Sequence, residues 1–151
     1  MIGAPAPAPD LSGRPFALSL ERKMAASATQ LYLAWTREFD RWFAAPGTLI
    51  MEPRVNAPFF FETHFDGSRH PHYGRFLRLE HDALIEMTWV TSGTAGAETV
   101  VAVQLQPQAA GTLLHLRHAG FPSEALCQRH RDAWPAVLAH LDTVLAGSAA
   151  R

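Results

Sequence analysis

Five strand-length segments, Phe59–Phe65, His72–Glu80, Leu84–Val90, Thr99–Pro107 and Thr112–His118, follow one another with only turn and loop material between them, and one amphipathic helix closes the chain. Asp66-Gly67, His81-Asp82 and Ala110-Gly111 supply turns that reverse the chain between neighbours, the pattern of an antiparallel meander. A single-layer meander with one apolar face must bury that face against something. The candidate cover begins after Phe121-Pro122-Ser123, where Leu126, His130, Trp134, Val137/Leu138, Leu141 and Val144/Leu145 recur three or four apart up to Gly147. The expected class is α+β, with the long helix laid across the sheet.

Upstream, Phe16, Leu18 and Leu20 alternate with Ala17, Ser19 and Glu21, which predicts a first strand over Phe16–Arg22. Leu31, Trp35 and Phe39 are four apart and lead to Trp42 and Phe43, which predicts two short helices, 28–34 and 37–43, the second capped by Thr36. A short strand over Thr48–Arg54 would lie at a sheet edge, given Pro46, Pro53 and Pro58. Pro135 lacks the N–H that would bond the carbonyl of Arg131, so the last helix is expected to kink near 131–135 or to split in two.

A chain of 151 residues that is 48% hydrophobic and 18% charged has the size and composition of one globular domain. That domain is expected over 14–147, with a Pro/Ala-rich tail at 1–13 and a second tail at 148–151. Thirteen basic against fourteen acidic residues, with no basic run, argue against nucleic acid as a partner. The N-terminus does not read as a signal peptide, and no apolar run is long enough to cross a bilayer. The lone Cys127 excludes an intrachain disulfide and suits a reducing cytoplasm.

Strand parity names the residues that face the helix, because alternate side chains share a face. Ile85, Met87 and Trp89 form one inward set; Thr99, Val101, Val103 and Leu105 form another. Leu114, Leu116 and His118 form a third, and Phe59, Phe61, Thr63 and Phe65 a fourth. For Tyr73 and Arg75, parity leaves the direction open. His118 is a polar group on an apolar face, so it either pairs within the core or touches a ligand. Trp35, Trp42, Trp89 and Trp134 point to an aromatic interior.

Taken in order, the segments over 16–146 resemble the START-like (SRPBCC) superfamily, in the branch named for the activator of heat-shock-protein ATPase. The resemblance is carried by Leu20-Glu21-Arg22-Lys23, Leu31-Tyr32-Leu33-Ala34-Trp35-Thr36, Phe39-Asp40-Arg41-Trp42-Phe43, Gly74-Arg75-Phe76 and Met87-Thr88-Trp89. Gly111 to His118, Gly120-Phe121, and His130 before Trp134 complete it. It implies a helix-grip fold, a curved antiparallel sheet of about six or seven strands around the C-terminal helix, with a cavity between them. It also implies that Trp35, Trp42, Trp89, His118, Phe121, His130 and Trp134 face that cavity. The chain departs from the family pattern at Asn56-Ala57 and at Ala133, where relatives carry glycine; the second departure is expected to widen the helix–sheet contact slightly.

The histidine pairs His70-Pro71-His72 and His115-x-x-His118 are poor metal ligands: the first is broken by proline, and the second sends its rings to opposite faces of a strand. Nucleophile elbows and phosphate-cradling loops are lacking, and neither a metal nor a cofactor is expected. The leading expectation is a carrier or sequestering protein that holds a small hydrophobic or aromatic ligand in a cavity of roughly 300–1,000 Å³. Its walls would be Trp35, Trp42, Phe59, Phe61, Ile85, Met87, Trp89, Val101, Val103, Phe121, Trp134 and Leu138, with Tyr73, His118 or His130 fixing a polar end. A polyketide cyclase-like enzyme using histidine or tyrosine, and a chaperone-associated interaction module, are the alternatives. A homodimer is the default expectation on symmetry grounds.

Overall fold

The computed structural model describes residues 5–149. Six antiparallel strands form one sheet in the order β1-β6-β5-β4-β3-β2, with β1 Phe16–Met24, β2 Pro58–Phe65, β3 Ser68–Glu80, β4 Leu84–Trp89, β5 Thr99–Pro107 and β6 Thr112–Phe121. The chain-order meander from β2 to β6 is kept, and β1 joins beside β6, pairing Leu18 with His118 and Leu20 with Leu116. The long helix α2, Glu124–Ala149, lies over β1 and β6, and the short helix α1, Ala28–Thr36, over β4 and β5. This is the helix-grip arrangement.

Alternation in β5 and β6 is carried out as the sequence implies. Val101 lies opposite His118 and Val103 opposite Leu116, and all four are buried beneath the helix. Across the next pair Met87 meets Val101 and Trp89 meets Thr99. In α2 the buried stripe is Cys127, Trp134, Leu138, Leu141 and Leu145, so Cys127 is a packing residue and a free thiol.

Strand β3 breaks the simple pattern. Its register with β4 shifts between Phe76 and Arg78, and Leu77, though buried, is not part of the core cluster that holds Phe76 and Leu79. A bulge adds one residue and so reverses the parity of everything before it. Counting back from Leu79 alone would turn Tyr73 and Arg75 inward; the bulge instead turns His72, Gly74 and Phe76 inward. Gly74 is required there: a Cβ would collide with the Thr88 carbonyl oxygen and the Phe59 ring. At the far end of β2, Phe65 does not join the inward set but stands 74% exposed beside the Asp66-Gly67 turn.

Several local expectations are corrected. The N-cap in this region is Ser27, whose Oγ accepts from the Gln30 N–H at 3.1 Å while the Gln30 side chain accepts from the Ser27 N–H at 2.9 Å. Thr36 is instead the last residue of α1, and its hydroxyl donates to the Tyr32 carbonyl at 2.7 Å. No second α-helix forms over 37–43. One 3₁₀ turn at Phe39–Arg41 lets Phe39 and Trp42 both enter the core, with the Trp42 indole N–H donating to the Ala34 carbonyl at 2.9 Å. The edge segment Thr48–Arg54 contributes only a bridge between Ile50 and Phe60.

Helix α2 runs unbroken through Pro135 to Ala149, two residues past its expected end. Pro135 and Arg131 are both exposed, so water can satisfy the carbonyl that proline leaves without a donor. Asn56, where the family carries glycine, has φ +65°, a left-handed conformation that asparagine tolerates better than most residues. Of the proline-rich segment expected to be a loose tail, 1–4 lie outside the described residues, as do 150–151. In the remainder the Ala6 N–H donates to the Leu77 carbonyl at 2.8 Å. The neighbouring Arg14 guanidinium donates to the Gly120 carbonyl at 2.7 Å.

Asp142 ties α2 to the end of β1, accepting from the Ala25 N–H at 3.0 Å and from Arg22 at 3.4 Å. Because these donors can be rehydrated, Asp142→Ala is expected to cost only about 1 kcal/mol in urea denaturation, with Asp142→Asn recovering part of it. A loss above about 3 kcal/mol, outside the range of such bonds, would contradict this account.

Candidate functional site

The helix grip leaves a cleft of about 230 Å³ between the N-terminal half of α2 and the β3–β4 region of the sheet. Its apolar walls are Phe43, Trp89, Trp134, Val137 and Ala133; His72, His130 and Thr91 are its polar lining. No lining residue carries a formal charge at neutral pH when both imidazoles are neutral. The volume falls below the expected range because the aromatic side chains fill the interior by stacking on each other. Phe39 lies at the centre, with its ring 5.0 Å from Phe61, 4.9 Å from Trp42 and 5.5 Å from Trp35.

Most of the residues named as walls are therefore solid core. Trp35, Trp42, Phe59, Phe61, Ile85, Met87, Val101, Val103, Phe121 and Leu138 are all buried, and none borders the cleft. Trp89, His130 and Trp134 do border it. Tyr73 is 51% exposed on the opposite face, its ring 5.3 Å from Phe60, and it cannot fix a ligand in the cleft. Arg75 pairs with Glu98 at 3.3 Å.

His118 resolves in favour of internal pairing. The Thr99 hydroxyl donates to the Trp89 carbonyl at 2.5 Å, so its oxygen is left to accept from His118 Nε2–H at 2.8 Å. The Trp134 indole N–H then donates to His118 Nδ1 at 3.2 Å. Both ring nitrogens are used, and the chain of bonds joins β4, β5, β6 and α2. Burial holds the His118 pKa well below its ordinary value, and the nearby His130 pushes it the same way.

His72 and His130 are different. His72 Nδ1 lies 2.9 Å from the His70 carbonyl oxygen and His130 Nδ1 lies 2.8 Å from that of Leu126. A carbonyl only accepts, so each Nδ1 carries the hydrogen and each neutral ring presents a lone pair at Nε2. Neither Nε2 has a hydrogen-bond partner among the described residues. Burial lowers the His72 pKa to about 4, overriding the opposing effect of the His70 bond, and burial also lowers that of His130. The His72 ring stacks on Phe61 at 4.7 Å and meets Trp89 edge-on at 5.2 Å.

Sequence reasoning missed His72, Phe43, Thr91, Ala133 and Val137 as lining residues. For His72 the missing signal was the β3 bulge, which no periodicity reveals. For Phe43 the helical reading of 37–43 obscured its position. Ala133, singled out only as a departure from glycine, places its methyl group on the cleft wall. Among the described residues no group of three histidine, cysteine or acidic side chains could hold a metal ion, and no helix is long and apolar enough to cross a membrane.

A curved antiparallel sheet gripping a C-terminal helix over an aromatic cleft defines the START-like (SRPBCC) class. The model of the family described as activator of Hsp90 ATPase homolog 1-like protein matches residues 25–146. The chain belongs to that family. Solved structures of similar fold include CV1439 from Chromobacterium violaceum, with a TM-score of 0.73 and 22% identity over 85% of this chain and 96% of that one. NE0264 from Nitrosomonas europaea has a TM-score of 0.73 and 18% identity over 93% of this chain and 99% of that one. MLL2253 from Mesorhizobium loti has a TM-score of 0.72 and 20% identity over 86% and 96%. At these identities the likeness concerns the fold alone. No curated protein matches the chain.

Proposed function

We propose that the protein binds a small apolar, aromatic compound in the cleft between α2 and the sheet, as a carrier or sequestering protein. The observation that carries this reading is the uncharged aromatic lining around about 230 Å³. An apolar protein cavity of about 150 Å³ is enough to hold benzene, so the cleft suits a compound of one or two rings rather than a sterol or a long lipid chain. Burial of ligand surface against Phe43, Trp89 and Trp134 would supply the affinity, at about 25 cal/mol per Å² of apolar area.

Saturation with a two-ring compound such as naphthalene or indole is expected to raise the midpoint of thermal unfolding, since a ligand bound only by the folded state adds about 2.7 kcal/mol at a hundred times its Kd. Trp89 and Trp134 fluorescence should change over the same titration. An unchanged midpoint and unchanged fluorescence across one- and two-ring compounds would refute the proposal.

A further inference from the structure

We infer that the cleft selects neutral ring compounds that carry a hydrogen-bond donor, a phenol or an N–H heterocycle, and that the donor is received by Nε2 of His72 or His130. This rests on the ligand-binding reading above and specifies its ligand class.

With Nδ1–H committed to a backbone carbonyl in both rings, at 2.9 Å for His72 and 2.8 Å for His130, the remaining nitrogen can only accept. Both Nε2 atoms lack a protein donor yet stay in reach of water, and a ligand donor that leaves water to enter the apolar cleft must find a new acceptor there, which these nitrogens supply. Gly93 keeps one of them approachable: a Cβ built there would lie 3.2 Å from His130 Cε1 and 3.5 Å from Nε2, so a larger residue would press on that edge.

The same lining discriminates against ions. A carboxylate entering the cleft would lose water and meet no lysine or arginine, while the Nε2 lone pairs would face it with like polarity. The low proton affinity of both rings acts in the same direction, since neither becomes an imidazolium near neutral pH to compensate an anion. An ammonium would find acceptors but no carboxylate to balance its charge.

Four probes with one ring system test this on the full chain by equilibrium titration at pH 7.5: 2-naphthol, naphthalene, 2-methoxynaphthalene and 2-naphthoate. The expected result is that 2-naphthol binds about tenfold more tightly than 2-methoxynaphthalene, the scale of one well-made hydrogen bond, and that 2-naphthoate binds weakest of the four. In ¹⁵N spectra of histidine-labelled protein, both rings should show the Nδ1–H tautomer, and an Nε2 resonance should shift with 2-naphthol but not with naphthalene. Replacing both acceptors, in His72→Phe/His130→Phe, should bring the ratio of 2-naphthol to 2-methoxynaphthalene affinities close to one. Equal affinities in the parent protein, preferred binding of 2-naphthoate, or Nε2 resonances unmoved by 2-naphthol would overturn the inference while leaving ring binding intact. Failure of all the neutral probes to bind would overturn the ligand-binding reading together with it.

Discussion

Acidification from pH 7.5 to pH 4.5 is expected to destabilise the fold by about 2.5 kcal/mol through His72 alone, with His118 and His130 adding to the loss. The sign follows from where the protons go. His72 has a folded pKa of about 4 against an ordinary value of 6.5. Below 6.5 the unfolded chain takes up a proton that the folded ring refuses, so unfolding gains; below about 4 both states are protonated and the effect levels off. Among the groups that face His72 only the His70 carbonyl favours its charged form, and burial outweighs it: Phe43, Phe61 and Trp89 are apolar, and the His70 and His130 side chains would oppose its positive charge.

Carboxylates contribute in a lower window. Glu62, held below its ordinary pKa by Arg69, and Asp10, held below by Ser12, lose their advantage only as they are protonated. Urea denaturation at pH 7.5, 6.5, 5.5 and 4.5 should therefore show stability falling from about pH 6.5 downward, before the carboxylate range is reached. His72→Phe should flatten part of that slope. A stability constant between pH 7 and pH 5 would contradict neutral burial of these rings.

Replacing His118 by alanine is expected to cost about 3–5 kcal/mol, combining a cavity in the core with the loss of two buried hydrogen bonds. Its ring is fully buried, accepts from the Trp134 indole and donates to Thr99, whose hydroxyl in turn holds the Trp89 carbonyl. Removal leaves the Trp134 N–H without its acceptor and frees the indole that walls the cleft. Two readouts should move together: the urea midpoint falls, and Trp134 emission shifts as its ring gains freedom. A loss below about 1 kcal/mol, typical of a surface change, would show that the bond chain linking three strands to α2 is not a structural tie.

How much of this could be read beforehand differs by element. The inward faces of strands β5 and β6 were legible up to His118, because neither carries a bulge between Val101 and His118 and period-2 counting needs nothing else, although β6 runs three residues further, to Phe121. Strand β3 defeats the same counting with one inserted residue at Leu77, which hid His72 and left Tyr73 undecided. The stretch after Thr36 reads as helix because Trp35, Phe39 and Trp42 have helical spacing; tertiary packing overrides that spacing by turning the chain so that both later rings reach the core. The list of apolar walls correctly identified interior residues. It could not reveal that they fill most of the space they enclose, since volume depends on how Phe39, Phe61 and Trp42 stack and not on which strands they occupy.

The bonds from His72 and His130 to the carbonyls of His70 and Leu126 also bear on chemistry. Imidazole conducts protons by taking one at one nitrogen and releasing another from the opposite one. In both cleft rings the releasing side ends on an amide oxygen, which is far too weak a base to carry the proton onward near neutral pH. Each ring is thus a terminus and not a relay. A reaction in this cleft that used either histidine as its base would have to return the proton through the same Nε2 that received it.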